Sequence, residues 1–93
     1  MSGQRHFSVW DAIEDSAEGA ASMKAKAALM MAISEHIRGQ GWTQAQAAKR
    51  LRVTQPRVSD LMRGRIDLFS LDTLVDMAAL AGLEPEVRLK RAA

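Results

Sequence analysis

Gln55, Arg57, Ser59 and Asp60 place four hydrogen-bonding side chains within "TQPRVSD", with Pro56 between the first two. Glutamine presents a donor and an acceptor side by side, arginine a planar fork of donors, and aspartate a pair of acceptors. These groups complement the edges of nucleic-acid bases. Gln55 can pair with adenine, Arg57 with guanine or a phosphate, and Asp60 with a cytosine amino group; Pro56 suits a thymine methyl and Ser59 can contribute weakly. Thr43, Gln44 and Lys49 upstream, with Arg63 and Arg65 downstream, are suited to phosphate oxygens. Arg50 can serve the same way, although taken alone it reads as a surface charge. Catalysis finds no comparable set. The chain has no cysteine and no paired His and carboxylate cluster, nucleophile with its base, glycine-rich phosphate loop or metal-ligand constellation. The expectation is a binding protein rather than an enzyme, with no metal and no cofactor.

Local sequence signals indicate the elements that would hold these residues. Proline is excluded from a helix interior but fits the first turn, where its missing N–H had no partner. With Thr54 as N-cap, Pro56 opens a helix from 55 to about 63. Thr43 and Gln46 have capping-box spacing and start an earlier helix over 43–51, leaving Arg52 and Val53 as a tight turn. Two short helices at a steep angle across such a turn form a helix-turn-helix. Ala47, Leu51, Val53, Val58 and Leu61 fall where the pair must face inward, and Ala48 supplies the small residue at the closest approach. Val58, Leu61 and Met62 are accordingly assigned to the core.

Three further segments frame this pair. "SMKAKAALMMAISEHIRGQG" predicts a helix with Met30, Ile33 and Ile37 on one face, ending at Arg38 with Gly39 and Gly41 beyond. Ser70 caps "LDTLVDMAALA", with Leu71, Leu74, Val75 and Ala78 expected inward and Gly82 as terminator. Ser8 and Asp11 start a short acidic helix from Val9 to about Ala17, stopped near Gly19. After Pro85, Val87 and Leu89 alternate with charged residues, which reads as a short strand over 86–90. A lone strand in a helical chain either pairs with a second copy or remains a basic tail.

The whole chain has 93 residues, 47% hydrophobic and 26% charged, which is the size and composition of one globular domain. Its large anchors are limited to Phe7, Trp10, Trp42 and Phe69, so association is a reasonable way to bury more surface. The net charge is only +2, and its distribution is more informative. Residues 1–23 set Arg5 against Asp11, Glu14, Asp15 and Glu18; residues 38–65 set Arg38, Lys49, Arg50, Arg52, Arg57, Arg63 and Arg65 against Asp60. Residues 66–86 then hold only acids. A basic block between acidic flanks steers a polyanion to the middle of the chain. No apolar run approaches a membrane span and no signal-peptide core precedes the domain, so the expected location is the cytoplasm.

The stretch "TQAQAAKRLRVTQPRVSDLMRGRIDLFSLDTLVDMAALAGL" resembles the Xre or lambda-repressor-like helix-turn-helix family. More narrowly, "FSVWDAIED" before it and the charged strand after it are similar to HigA-type antitoxins of bacterial toxin–antitoxin modules. The resemblance implies an all-α, lambda-repressor-like bundle with a helix-turn-helix, an extra N-terminal helix and a short C-terminal strand. It divides the chain into an acidic segment at 1–21, a DNA-binding domain at 22–83 and a tail at 84–93. It also implies that Gln44 braces the base-reading Gln55. One departure is Arg52, where the family most often has glycine. A left-handed turn costs a non-glycine residue roughly 1 kcal/mol.

A single module of this kind reads only a few base pairs, and two-fold dimers solve this with half-sites roughly 34 Å apart. The expected partners are therefore double-stranded operator DNA and a second copy of the chain, held by the helix at 70–81 and the strand at 86–90. The antitoxin resemblance adds a toxin, typically a basic RNA-cleaving enzyme, for which Phe7, Val9, Trp10 and Ile13 on the acidic segment are candidate contacts. Those four residues could equally pack on their own domain. A stand-alone regulator and a helical interaction module that has lost DNA binding are the alternatives.

Overall fold

The computed structural model describes residues 17–91. The expected N-terminal helix and the candidate toxin contacts Phe7, Val9, Trp10 and Ile13 lie outside them. Four α-helices occur among the described residues: α1, Ala17–Gln40; α2, Gln44–Leu51; α3, Gln55–Met62; and α4, Leu71–Leu80. A 3₁₀ turn at Ile66–Leu68 links α3 to α4.

Helix α1 corrects the expected stop at Gly19. Gly19 is buried inside the helix, which crosses from residue 21 to 22 without a break. The alanine-, lysine- and methionine-rich sequence around it propagates helix well enough to absorb the roughly 1 kcal/mol that one internal glycine costs. Met30, Ile33 and Ile37 line its inner face as the spacing predicts.

The four helices end in the same way. The N–H of a residue one or two positions past the helix donates back three positions, and the next N–H donates back five. These bonds are Gly41 to Arg38 and Trp42 to Ile37 for α1, Gly64 to Leu61 and Arg65 to Asp60 for α3, and Gly82 to Ala79 and Leu83 to Ala78 for α4. For α2 they are Arg52 to Lys49 and Val53 to Ala48. This is the Schellman closure, which needs a left-handed residue at its hinge. Glycine provides it three times, and Arg52 takes the same conformation at φ 59°, ψ 43°.

Packing follows from these stops. Helix α1 lies against α4, α3 and the 3₁₀ turn, while α2 packs on α3 and α4. Ile33, Ile37, Ala47, Leu51, Val58, Leu61, Phe69 and Leu74 are at the centre, each no more than 2% exposed. Ala48 is buried in the core, and Val53, Met62 and Trp42 pack on its edge. Helix α4 is rotated relative to expectation: Met77 is buried with Leu74 and Ala78, and Val75 is 38% exposed. Leu74, Met77, Ala78 and Ala81 form the i, i+3, i+4, i+7 stripe that fits the core, which turns Val75 to the edge of α1. Residues 84–91 form neither helix nor strand, because no partner strand exists among the described residues.

Candidate nucleic-acid interface

The interface is built on two helix starts. At α2, Thr43 Oγ1 accepts the Gln46 N–H at 3.1 Å, and Gln46 Oε1 accepts the Thr43 N–H at 2.9 Å. This reciprocal cap fixes the first turn and leaves Gln44 exposed at its rim. At α3, Thr54 Oγ1 accepts the Arg57 N–H at 3.3 Å, with Pro56 in the first turn. Neither first turn contains an acidic residue. The partial positive charge of both helix N-termini is therefore left for an external anion such as phosphate.

Helix α3 divides its side chains cleanly. Val58 and Leu61 point into the core with Met62 beside them. Gln55 and Pro56 are exposed, Ser59 and Asp60 are half-buried, and Arg63 is exposed at the end. These residues follow the i, i+1, i+4, i+5, i+8 order of one outward helix face. The candidate base-reading residues Gln55, Pro56, Ser59 and Asp60 are thereby brought together. Lys49 and Arg50 in the last turn of α2, and Arg63 and Arg65 after α3, are exposed before and after it in the chain.

Arg57 has a different setting. It is half-buried; its Nη1 donates to the Leu68 carbonyl at 2.8 Å, and its guanidinium lies 4.2 Å from the centre of the Phe69 ring. Phe69 is itself only 2% exposed. The arginine expected beside the bases thus straps the start of α3 to the link between α3 and α4. Trp42 carries a second such contact, with the Arg50 guanidinium 4.6 Å from its ring and His36 edge-on at 5.5 Å. Sequence reading missed both because each joins residues from different elements. The signals available were two large aromatics and an excess of arginine.

A polar outward face on the second of two capped, tightly joined helices, flanked by bases, defines the class: a helix-turn-helix DNA-binding domain. The comparisons narrow it. The family described as "Helix-turn-helix domain" matches residues 12–90, and the chain belongs to it. A solved structure described as an XRE family transcriptional regulator is similar to this one at a TM-score of 0.71 and 27% sequence identity, covering 78% of this chain and 82% of that chain. No curated protein matches the chain.

Proposed function

We propose that the protein is a sequence-specific transcriptional repressor of the XRE type that binds operator DNA as a homodimer. The observation that carries this reading is the outward face of α3. Gln55, Pro56, Ser59 and Asp60 sit there on a helix start that carries no acid of its own and is flanked by exposed bases. With α3 in the major groove and α2 across the backbone, Thr43, Gln44, Lys49, Arg63 and Arg65 are the candidates for phosphate contact.

We infer further that the repressor is the antitoxin of a type II toxin–antitoxin pair, neutralising a toxin and regulating its own operon. Support comes from the resemblance of the acidic N-terminal stretch to HigA-type antitoxins. A stand-alone regulator is the second reading, favoured by the similar solved structure, which is described as a transcriptional regulator alone. Co-purification of the chain with the product of an adjoining small gene separates the two.

The DNA reading is tested by affinity for duplex DNA from upstream of the chain's own gene, against scrambled duplex. Preferential binding is expected. Gln55→Ala should reduce that preference by about 1–3 kcal/mol, the discrimination of one bidentate base contact. Equal, weak binding to both duplexes would overturn the reading and leave a helical interaction module.

A further inference from the structure

We propose that Arg57 is a positioning residue that fixes the tilt of α3, and with it the spacing at which two copies of the chain read two operator half-sites. This rests on the homodimeric repressor reading above and adds to it the residue that makes half-site spacing a determinant of specificity.

Arg57 joins two helix starts. Its N–H closes the cap of α3 by donating to Thr54 Oγ1 at 3.3 Å, and its Nη1 donates to the Leu68 carbonyl at 2.8 Å. Phe69, whose ring centre lies 4.2 Å from the guanidinium, directly precedes Ser70, the N-cap of α4. Ser70 Oγ accepts the Thr73 N–H at 3.1 Å, which fixes the first turn of α4 in the same way. The first turn of the reading helix is thus tied through one side chain to the first turn of α4.

The far end of this strap is firm. Phe69 is 2% exposed and shares a core with Leu74 and Met77 of α4 and with Ile33 and Ile37 of α1. The near end has little else to hold it. Gln55 and Pro56 are exposed, and the first core anchor of α3 is Val58. Among the described residues, the bond to Leu68 is the one hydrogen bond that a side chain of α3 makes outside its own helix. A guanidinium held by its edge and its face at once resists displacement in two directions, as a single hydrogen bond would not.

The dimensions of the helix give the effect its size. With eight residues, α3 is about 12 Å long. A tilt of about 15° about its C-terminal end carries Gln55 through about 3 Å, close to the rise of about 3.4 Å per base pair. In a two-fold dimer both reading helices tilt, so the distance between them changes by up to twice that amount. A loose helix would accept half-sites one base pair nearer or farther apart; a strapped one rejects them. Arg57 thereby adds to specificity without touching a base.

The test uses the full chain and duplex DNA from upstream of its own gene. The protected inverted repeat is located by footprinting, and duplexes are then made with one base pair more or fewer between its halves. The parent should bind the respaced duplexes about tenfold to a hundredfold more weakly, the range of a single mismatch. Arg57→Met, assayed where its helical circular dichroism matches the parent's, should bind the natural spacing about tenfold more weakly and separate the three spacings by less than about threefold. Its ranking of single base-pair replacements within a half-site should match the parent's. Phe69→Leu, assayed under the same condition, alters a buried residue that reaches no base and should flatten the spacing profile as Arg57→Met does. A variant profile as steep as the parent's overturns the proposal, because the strap then serves stability alone. So does the loss of preference at one base-pair position in Arg57→Met, which makes Arg57 a base reader; both results leave the repressor reading in place. A parent indifferent to spacing, or one that binds upstream and scrambled duplexes equally, overturns the homodimeric repressor reading and the proposal with it.

Discussion

A side chain at position 57 has two directions available, out toward a DNA duplex or back across the end of the bundle. Arg57 takes the second, and its planar guanidinium suits it: one face stacks on Phe69 while the edge donates to the Leu68 carbonyl. Replacing Arg57 with methionine keeps an unbranched side chain over the ring and removes the charge and the donor. The expected loss is about 1–2 kcal/mol, one hydrogen bond and one partly exposed cation–π contact, read as a lower midpoint in urea denaturation. Lysine at this position should restore less than half, because a point charge cannot stack and donate at once. If Arg57→Met unfolds at the same midpoint as the parent, the contact contributes nothing. On the proposed DNA reading, base discrimination falls first to Gln55, which is exposed at the start of the same helix.

At the scale of elements, the recurring helix stop makes Arg52 the informative position. It holds a left-handed hinge that Gly41, Gly64 and Gly82 hold elsewhere. Arg52→Gly should stabilise the domain by about 0.5–1 kcal/mol, the relieved backbone strain less the extra freedom of the unfolded chain. Calorimetry should show a melting temperature higher by about 2–8 °C; an unchanged or lower value would mean that Arg52 makes a compensating contribution. The same stops explain what could be read in advance. Thr43 with Gln46, Thr54 with Pro56, Ser70, and the glycines after three helices act over at most five residues, so their sequence spacing predicts their geometry. Gly19 misled because a stop residue is overridden when the sequence on both sides favours helix. Val75 misled because two overlapping apolar stripes exist on α4, and only contact with α1 chooses between them. Of the candidate site, the outward face of α3 was legible from its period; the turning back of Arg57 was not, since Leu68 and Phe69 reach it only through the fold.

For the whole molecule, the relevant quantity is where charge lies in space. Lys49 and Arg50 end α2, and Arg63 and Arg65 follow α3, so exposed bases precede and follow the polar face along the chain. Binding to any duplex should therefore weaken steeply with salt through release of condensed counterions. Lys49→Ala should lower affinity for all duplexes alike and make the slope of log affinity against log salt shallower by about 0.9, with sequence preference intact. A change in preference instead would move Lys49 from the backbone to the base edges. Among the described residues no helix is long and apolar enough to cross a membrane, and the domain depends on a small aliphatic core in which Phe69 is the one buried aromatic.

The division of α3 has a further consequence for divergence. Val58 and Leu61 hold the helix in place, while Gln55 and Pro56 are free of the core. Selection, or an engineer, can therefore rewrite the outward residues without re-solving the packing problem beneath them. Copies of such a gene within one genome can drift apart in the operators they address, each keeping the same scaffold, so that cross-talk between paralogues is lost by a few surface exchanges rather than by the invention of a new fold.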